Sequence, residues 1–409
     1  MKFLYLTQIY SAYNDLFYSR CPKLIEASFE EQRISFAKDA FSWNGVWESV
    51  LEPYGFEVTQ IICNALPMQK AWAKENDCAI DEKNLPKFTL EQIKFFQPEI
   101  LFAGVPRSFD RHWIKKVREE CPSVKKILFY VGTSSFDAST LRECDSVLVP
   151  TKWWRDEFIS KGISSYFLPH AFNKNVFKFL APNNQVKPQK ITFSGSIGGY
   201  NGEHESREKI LKFLIEKEIQ LELNSPTHGV SQLNDLFQTF GRKVAYILIK
   251  VLQIMGLNND LVRGLPVIGR ANRWRKFPRR LVDPLLRPYL KPPIFGMEMY
   301  QLLQNSFVTL NSHISEVGNQ AGNCRLFEAT GVGTCLLTDA RSNLSDFFEP
   351  DYEVVTYDSP AECFEKINYH KENPSERDKI AERGRKRTLL DHTFEQRSKS
   401  LMEVISSIN

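Results

Sequence analysis

From its first residue the chain alternates short apolar runs with amphipathic stretches of helical length, and the alternation restarts after one polar break near the middle. Short apolar runs separated by helix-length segments are the sequence form of βαβ units, which bury a parallel sheet between layers of helices. In the first half the expected strands are Lys2–Thr7, Phe56–Cys63, Glu99–Ala103, Lys125–Val131, Ser146–Val149 and Ser165–Leu168. The expected helices are Phe29–Leu51, Thr89–Phe96, Asp110–Glu120 and Lys152–Lys161.

The break, Ala181-Pro-Asn-Asn-Gln-Val-Lys-Pro-Gln, is polar, holds two prolines and has no period, as an interdomain linker does. Beyond it come strands at Ile191–Ser194, Gln220–Leu223, Phe307–Leu310, Thr334–Thr338 and Tyr352–Thr356. Helices are expected at Glu205–Lys217, Met297–Gln304, Arg325–Gly331, Pro360–Glu372 and Pro374–Leu390. A chain of 409 residues exceeds what one core usually supports. The reading is therefore α/β with two Rossmann-like domains, residues 1–180 and 190–390, joined by a linker over 181–189 and followed by a C-terminal helix over 391–409.

Several classes are set aside. A formal charge of +4 is too small for a nucleic-acid binder. The eight cysteines are scattered, without a C-x-x-C pair, which suits reduced thiols and a cytoplasmic location rather than a disulfide framework or metal site. The N-terminal apolar run reads as a strand rather than a signal peptide, and no run of about 18 apolar residues reads as a membrane span. Walker A, H-E-x-x-H and G-x-S-x-G patterns are missing.

Chemistry concentrates between Leu310 and Asp339. A strand delivers Asn311 and His313 to its carboxyl end, a Gly- and Asn-rich loop containing Gln320 and Asn323 follows, and a helix opens near Arg325. Such a loop turns backbone N–H groups and the positive end of a helix dipole toward a diphosphate. Glu328, one turn into the helix, is placed to accept hydrogen bonds from ribose hydroxyls. A second phosphate element is expected where a strand ends in Ser194-Gly195-Ser196 and a Gly-rich loop leads to a helix carrying Arg207. In the first half, Asp137 follows a strand end and could act as a general base, a tight-turn role being the alternative. His170, just ahead of the linker, is either a cleft residue or a hinge histidine.

The strings Arg325-Leu-Phe-Glu-Ala-Thr-Gly-Val-Gly-Thr, Leu336-Leu-Thr-Asp, Phe347-Phe-Glu-Pro, Tyr352-Glu-Val-Val and Asp391-His-Thr-Phe-Glu-Gln-Arg resemble, in that order, the C-terminal domain of the CgeB-like, spore-maturation-type glycosyltransferases. Phe17-Tyr-Ser-Arg-Cys-Pro and Ala65-Leu-Pro-Met-Gln-Lys-Ala-Trp-Ala resemble segments of their N-terminal half. The resemblance implies the GT-B architecture, two facing Rossmann-like domains with a C-terminal helix crossing back. It implies a nucleotide-diphosphate-sugar donor on the C-terminal domain and an acceptor hydroxyl on the N-terminal one. In related families two glutamates spaced E-x7-E bracket the donor; Glu328 fits the second position, and Gln320 stands at the first.

On this reading Gly195, Ser196, Arg207, Asn311, Gln320, Asn323 and Glu328 bind the donor, and Asp137, His170, His313 and Arg325 serve catalysis. The expected enzyme is a hexosyltransferase-like, metal-independent, retaining transferase of surface polysaccharide or glycoconjugate synthesis, with a glycan, lipid-linked or protein acceptor. No cofactor is expected, since the nucleotide sugar is a substrate. The alternatives are a nucleotide-sugar epimerase on the same fold and a catalytically silent nucleotide-sugar-binding or membrane-docking protein.

The segment Leu261–Met297 carries nine basic residues against one acid, Asp283, inside an expected insertion over 245–296. It reads as a solvated loop or as a patch, built on Arg263, Arg270, Arg273, Arg275, Lys276, Arg279 and Arg280, that meets an anionic membrane from the cytoplasmic side or a lipid-diphosphate acceptor. A third reading, a nucleic-acid surface, is disfavoured by the sparse aromatics there, Trp274, Phe277 and Tyr289.

Overall fold

The computed structural model describes residues 1–82, 84–104, 109–132, 137–182, 190–202, 204–254, 276–314 and 318–408. Strands β1 (Lys2–Thr7), β2 (Glu57–Ile62), β3 (Ile100–Gly104), β4 (Lys126–Tyr130), β5 (Ser146–Val149) and β6 (Ser165–Phe167) form one sheet. Strands β7 (Ile191–Ser194), β8 (Leu221–Asn224), β9 (Leu290–Lys291), β10 (Val308–Asn311), β11 (Leu336–Asp339) and β12 (Val355–Tyr357) form the other. The first runs in the order β2-β1-β3-β4-β5-β6 and the second β12-β11-β10-β7-β8-β9. All neighbouring strands are parallel.

Parallel strands covered on both faces must be apolar on both, and β1 shows how. Leu4 and Leu6 enter one core with Ile61, Leu101 and Phe129. Phe3 and Tyr5 enter the opposite one with Trp43, Trp47 and Phe102. That second core is completed from the far end of the chain, where the helix Phe394–Ser407 contributes Phe394, Leu401, Val404 and Ile405. The crossing is fixed where the Phe172 amide donates to the His392 carbonyl at 2.8 Å. The C-terminal helix thus belongs structurally to the first sheet.

Three expectations change. The single helix over Phe29–Leu51 is two, Phe29–Asp39 and Val46–Leu51. Between them Ala40, Ser42 and Gly45 have φ of 53°, 58° and 68°, a left-handed stretch that no helix accommodates. Helices Ser11–Arg20 and Leu66–Glu75 form where none was expected. Of the expected insertion, the described residues Val282, Leu286 and Leu290 enter the core of the second sheet. Gln232–Ile254 is a continuous helix, Val282 and Leu286 are fully buried, and β9 pairs with β8.

The described basic residues of that segment mostly find acids of their own domain rather than forming a patch. Lys276 pairs with Glu205 at 3.0 Å, Arg279 with Glu208, Arg287 with Asp235, and Lys291 with Glu222 at 3.0 Å. Arg280 is half-buried, while Arg263, Arg270, Arg273 and Arg275 lie outside the described residues. No helix among the described residues is long and apolar enough to cross a membrane.

Candidate active site

In both sheets the chain reverses its direction of travel beside a central strand, between β1 and β3 in the first and between β7 and β10 in the second. Connections leaving such a switch point on opposite sides open a crevice at the carboxyl ends of the strands, the usual ligand site of an open α/β sheet. Here the carboxyl ends face one cleft of about 530 Å3. The first half lines it with Tyr10, Phe41, Pro150, Thr151, Trp154 and His170. The second half supplies Ser194–Ser196, His204, Arg207, Asn311, His313, Asn323, Arg325 and Glu328. The halves approach closely at Gly322, where a Cβ would stand 3.0 Å from the Thr151 methyl and 3.1 Å from the Pro150 carbonyl oxygen.

Among the described residues the hydrogen bonds of Arg207 go to neutral groups. Its Nε donates to the Ser312 carbonyl at 2.8 Å, and one terminal nitrogen donates to the Ser196 carbonyl at 3.0 Å and lies 3.2 Å from His204 Nδ1. Burial pulls its pKa down to about 10, so it stays charged at neutral pH. The neighbouring His204 falls to about 4 through burial and the two arginines beside it, and is a neutral acceptor there.

Arg325 donates to the Ser194 carbonyl at 3.0 Å and pairs with Glu328 at 3.0 Å, one helical turn on. Its Nε is buried and has no partner among the described residues. Glu328 is 7% exposed, and burial raises its pKa despite Arg325. Asn311 and Asn323 clasp each other, Nδ2 of Asn323 donating to Oδ1 of Asn311 at 2.8 Å, which ties the end of β10 to the start of the Cys324–Gly331 helix.

His313 forms part of a unit that spacing does not reveal. Its backbone N–H donates to both Asp339 oxygens, at 3.0 and 3.1 Å, and its Nδ1 lies 2.7 Å from Asp339 Oδ1. Arg341 closes on the same carboxylate at 2.6 Å. Burial alone would raise the Asp339 pKa; the His313 hydrogen bond and the Arg341 guanidinium overcome it and hold the group down at about 2. An ionised Asp339 accepts from His313 Nδ1, leaving Nε2, buried and without a partner among the described residues, for the cleft.

Across the cleft, His170 Nε2 is 3.4 Å from the Tyr130 hydroxyl, and its Nδ1 has no partner among the described residues. Burial and the Arg397 charge lower its pKa to about 4, so it is uncharged at neutral pH.

Two expected residues stand elsewhere. Asp137 is exposed and does not line the cleft; its carboxylate caps the short helix Ala138–Leu141, accepting from the Ser139 amide at 3.1 Å, and its hydrogen bonds to Ser139 lower its pKa. That is an N-cap rather than a base poised near neutrality. Gln320 turns away from the cleft and donates to Ser342 Oγ at 2.8 Å.

The loop after β7 is also spent differently from its expectation. The Gly195, Ile197 and Gly199 amides donate to the Asn224 carbonyl, Ser225 Oγ and the Leu281 carbonyl, at 3.0, 3.2 and 2.8 Å. Gly198, at φ 91°, lies so close to Leu281 that a Cβ would come within 1.9 Å of its carbonyl oxygen. Its glycines serve close packing on Leu281, and the loop also holds Arg207 through the Ser196 carbonyl. Among the described residues no group of three or more His, Cys, Asp or Glu is arranged to hold a metal ion.

Residues 252–403 match the family model described as glycosyl transferase-like. No curated protein matches the chain in sequence. Among solved structures, a glycosyltransferase from Rickettsia africae is 10% identical, with 100% of this chain and 98% of that one covered and a TM-score of 0.55. HepE of Anabaena in complex with UDP-glucose is 12% identical, with 100% of each covered and a TM-score of 0.53. Sucrose-phosphate synthase from Thermosynechococcus elongatus is 11% identical over 99% and 98%, with a TM-score of 0.51. At these identities the likeness is one of fold: the chain has the two-domain Rossmann-like GT-B architecture of these proteins.

Proposed function

We propose that the chain is a glycosyltransferase that takes a sugar from a nucleotide diphosphate and delivers it to an acceptor hydroxyl. The observation that carries this reading is Arg207, a charged guanidinium in the interdomain cleft whose hydrogen bonds among the described residues go to two carbonyls and a neutral imidazole. Asp339 acts on it through its charge without a hydrogen bond among the described residues, so a partly desolvated cation here is better satisfied when an anion completes it. Arg325, with its unpartnered Nε, stands on the same side of the cleft. Two guanidiniums suit the charge and the fork geometry of a diphosphate. Glu328 serves the ribose hydroxyls one turn beyond.

In the reaction the acceptor oxygen bonds to the anomeric carbon while the bond from that carbon to the phosphate oxygen breaks. The electron pair leaves with the nucleoside diphosphate, where Arg207 and Arg325 meet the growing charge. The acceptor hydroxyl gives its proton to an imidazole nitrogen, for which His313 Nε2 and His170 Nδ1, both without a partner among the described residues, are the candidates in the cleft. The family match and the UDP-glucose complex of the Anabaena fold neighbour support a nucleotide sugar as donor. The narrower reading, a CgeB-like, retaining enzyme of polysaccharide or glycoconjugate assembly that works without a metal, rests on the sequence resemblance and on the two arginines.

Thermal unfolding with a panel of nucleoside diphosphates tests the donor assignment. A ligand at a hundred times its Kd adds about 2.7 kcal/mol, a shift of a few degrees. A stabilising nucleotide then selects the sugar donor for transfer assays with and without a chelator, the product's anomeric configuration giving the stereochemistry. No stabilisation by any diphosphate would remove the reading.

A further inference from the structure

A helix resting on a domain normally turns its apolar stripe inward. The Gln232–Ile254 helix does the reverse. The side chains it buries are Asp235, Thr239, Ala245 and Ile249, with Asp235 on Arg287 and accepting from the Leu281 amide at 2.8 Å. Its larger apolar residues point out: Leu233, Phe237, Phe240, Val244, Ile247 and Val251 are all exposed, Phe237 at 75% and Phe240 at 68%. Spaced three or four residues apart, they form one stripe that continues to Ile254, about 32 Å long at 1.5 Å per residue. A contiguous apolar surface of this kind marks an interaction site rather than ordinary surface scatter.

Charge selects the occupant. On a helical wheel Lys243 and Lys250 border the stripe along one edge, and Asp235, the one acid of the helix, is buried in its ion pair. A second copy packed stripe to stripe would bring lysines together with no carboxylate on either helix to answer them. Anionic headgroups supply that missing charge, and the acyl boundary beneath them takes the aromatic and aliphatic side chains.

We propose that the outward face of the Gln232–Ile254 helix is a docking surface for an anionic bilayer, lying in the plane of the interface. The helix is tied to the loop behind the cleft: the Tyr200 hydroxyl donates to Gln238 at 2.9 Å and the Arg242 guanidinium stands 4.0 Å over the Tyr200 ring. Tyr200 ends the run that begins at Ser194. Docking therefore fixes the second half of the molecule on the membrane whether or not the transfer reading holds.

Cosedimentation of the full chain with vesicles of phosphatidylcholine, alone or with a quarter phosphatidylglycerol, tests this. Partition onto the anionic vesicles should exceed that onto neutral ones by about tenfold or more at low salt, and fall with added salt to an apolar remainder. The double variant Phe237→Ser, Phe240→Ser should lose at least about tenfold of it while keeping the unfolding midpoint, since neither side chain is buried. No vesicle binding at low salt, or equal binding by the double variant, would overturn the proposal. So would a dimer by light scattering that the double variant dissolves, which would assign the stripe to a second copy.

Discussion

The two halves of the molecule are built alike and armed differently. Each is a six-stranded parallel sheet whose switch point opens on the same cleft, yet the described residues that the first half brings there include no carboxylate and no permanent cation. Tyr10, Phe41, Thr151 and Trp154 are neutral, and burial keeps His170 neutral as well. The second half brings Arg207, Arg325 and Glu328, with the Asp339–Arg341 pair behind His313. The difference teaches that the fold supplies a crevice and the strand-end residues distinguish its two sides, which on the proposed function would serve a polyanion and an uncharged hydroxyl respectively.

The comparison breaks most visibly at Arg325. Replacing it by Ala removes a charge from the diphosphate and leaves Glu328 buried without its partner. The expected loss in kcat/KM is about 100- to 1,000-fold, the cost of removing one donor to a developing oxyanion. Arg325→Lys, which keeps the charge without the fork, should recover only part of it. Steady-state kinetics with donor and acceptor varied separately should place the loss on the donor and on kcat. Full activity in Arg325→Ala would show that the second half is not the charged partner in the reaction.

Glu328→Gln should cost less, about 1.5 to 3 kcal/mol in kcat/KM for the donor, as expected for hydrogen bonds to a charged group, with the acceptor KM unchanged. Its stability should move the other way. The folded-state pKa of Glu328 is raised by burial above its ordinary 4.5. Its contribution to stability is therefore full below 4.5 and lost as pH rises through the raised value. Glutamine does not titrate, so thermal melts across this window should show the variant gaining on the native chain as pH rises, even as donor use falls. A variant that loses stability and keeps its donor kinetics would make Glu328 a structural partner of Arg325 and nothing more.

These positions differ in how they could be read. Glu328 and Arg325 were legible because a strand, a loop and a helix follow each other locally, so spacing alone brings them to the crevice. The sheets were legible for the same reason, each strand being a short apolar run of its own. Gln320 was misplaced because spacing along the chain does not say which way a loop turns, and its side chain meets Ser342, 22 residues on. Asp339 and Arg341 went unread since their partner, His313, is joined to them only by the pairing of β10 with β11. The outward stripe of Gln232–Ile254 was hidden by the usual rule that an apolar face is an inner one. Leu290–Lys291 is too short a strand to carry a period, and Ser11–Arg20 buries only Tyr13, Phe17 and Tyr18.

The finest test of the contrast lies on the neutral side. Tyr10 follows β1 at the first switch point, lines the cleft and is exposed, its ring 6.0 Å from that of Phe41. Because the side chain is not part of a core, Tyr10→Ala removes an aromatic surface from the cleft without opening a cavity in the fold. If the first half receives the acceptor, the variant should raise the acceptor KM about fivefold, near 1 kcal/mol for one aromatic contact. Nucleoside diphosphate affinity, measured by calorimetry, should stay as it was. Tyr10→Phe separates the ring from the hydroxyl: contact through the ring leaves this variant close to the native enzyme, whereas a hydroxyl reaching across the cleft would weaken the nucleotide instead. The second outcome would move Tyr10 to the donor's side and show that the division between the halves runs through the first switch point rather than between the two sheets.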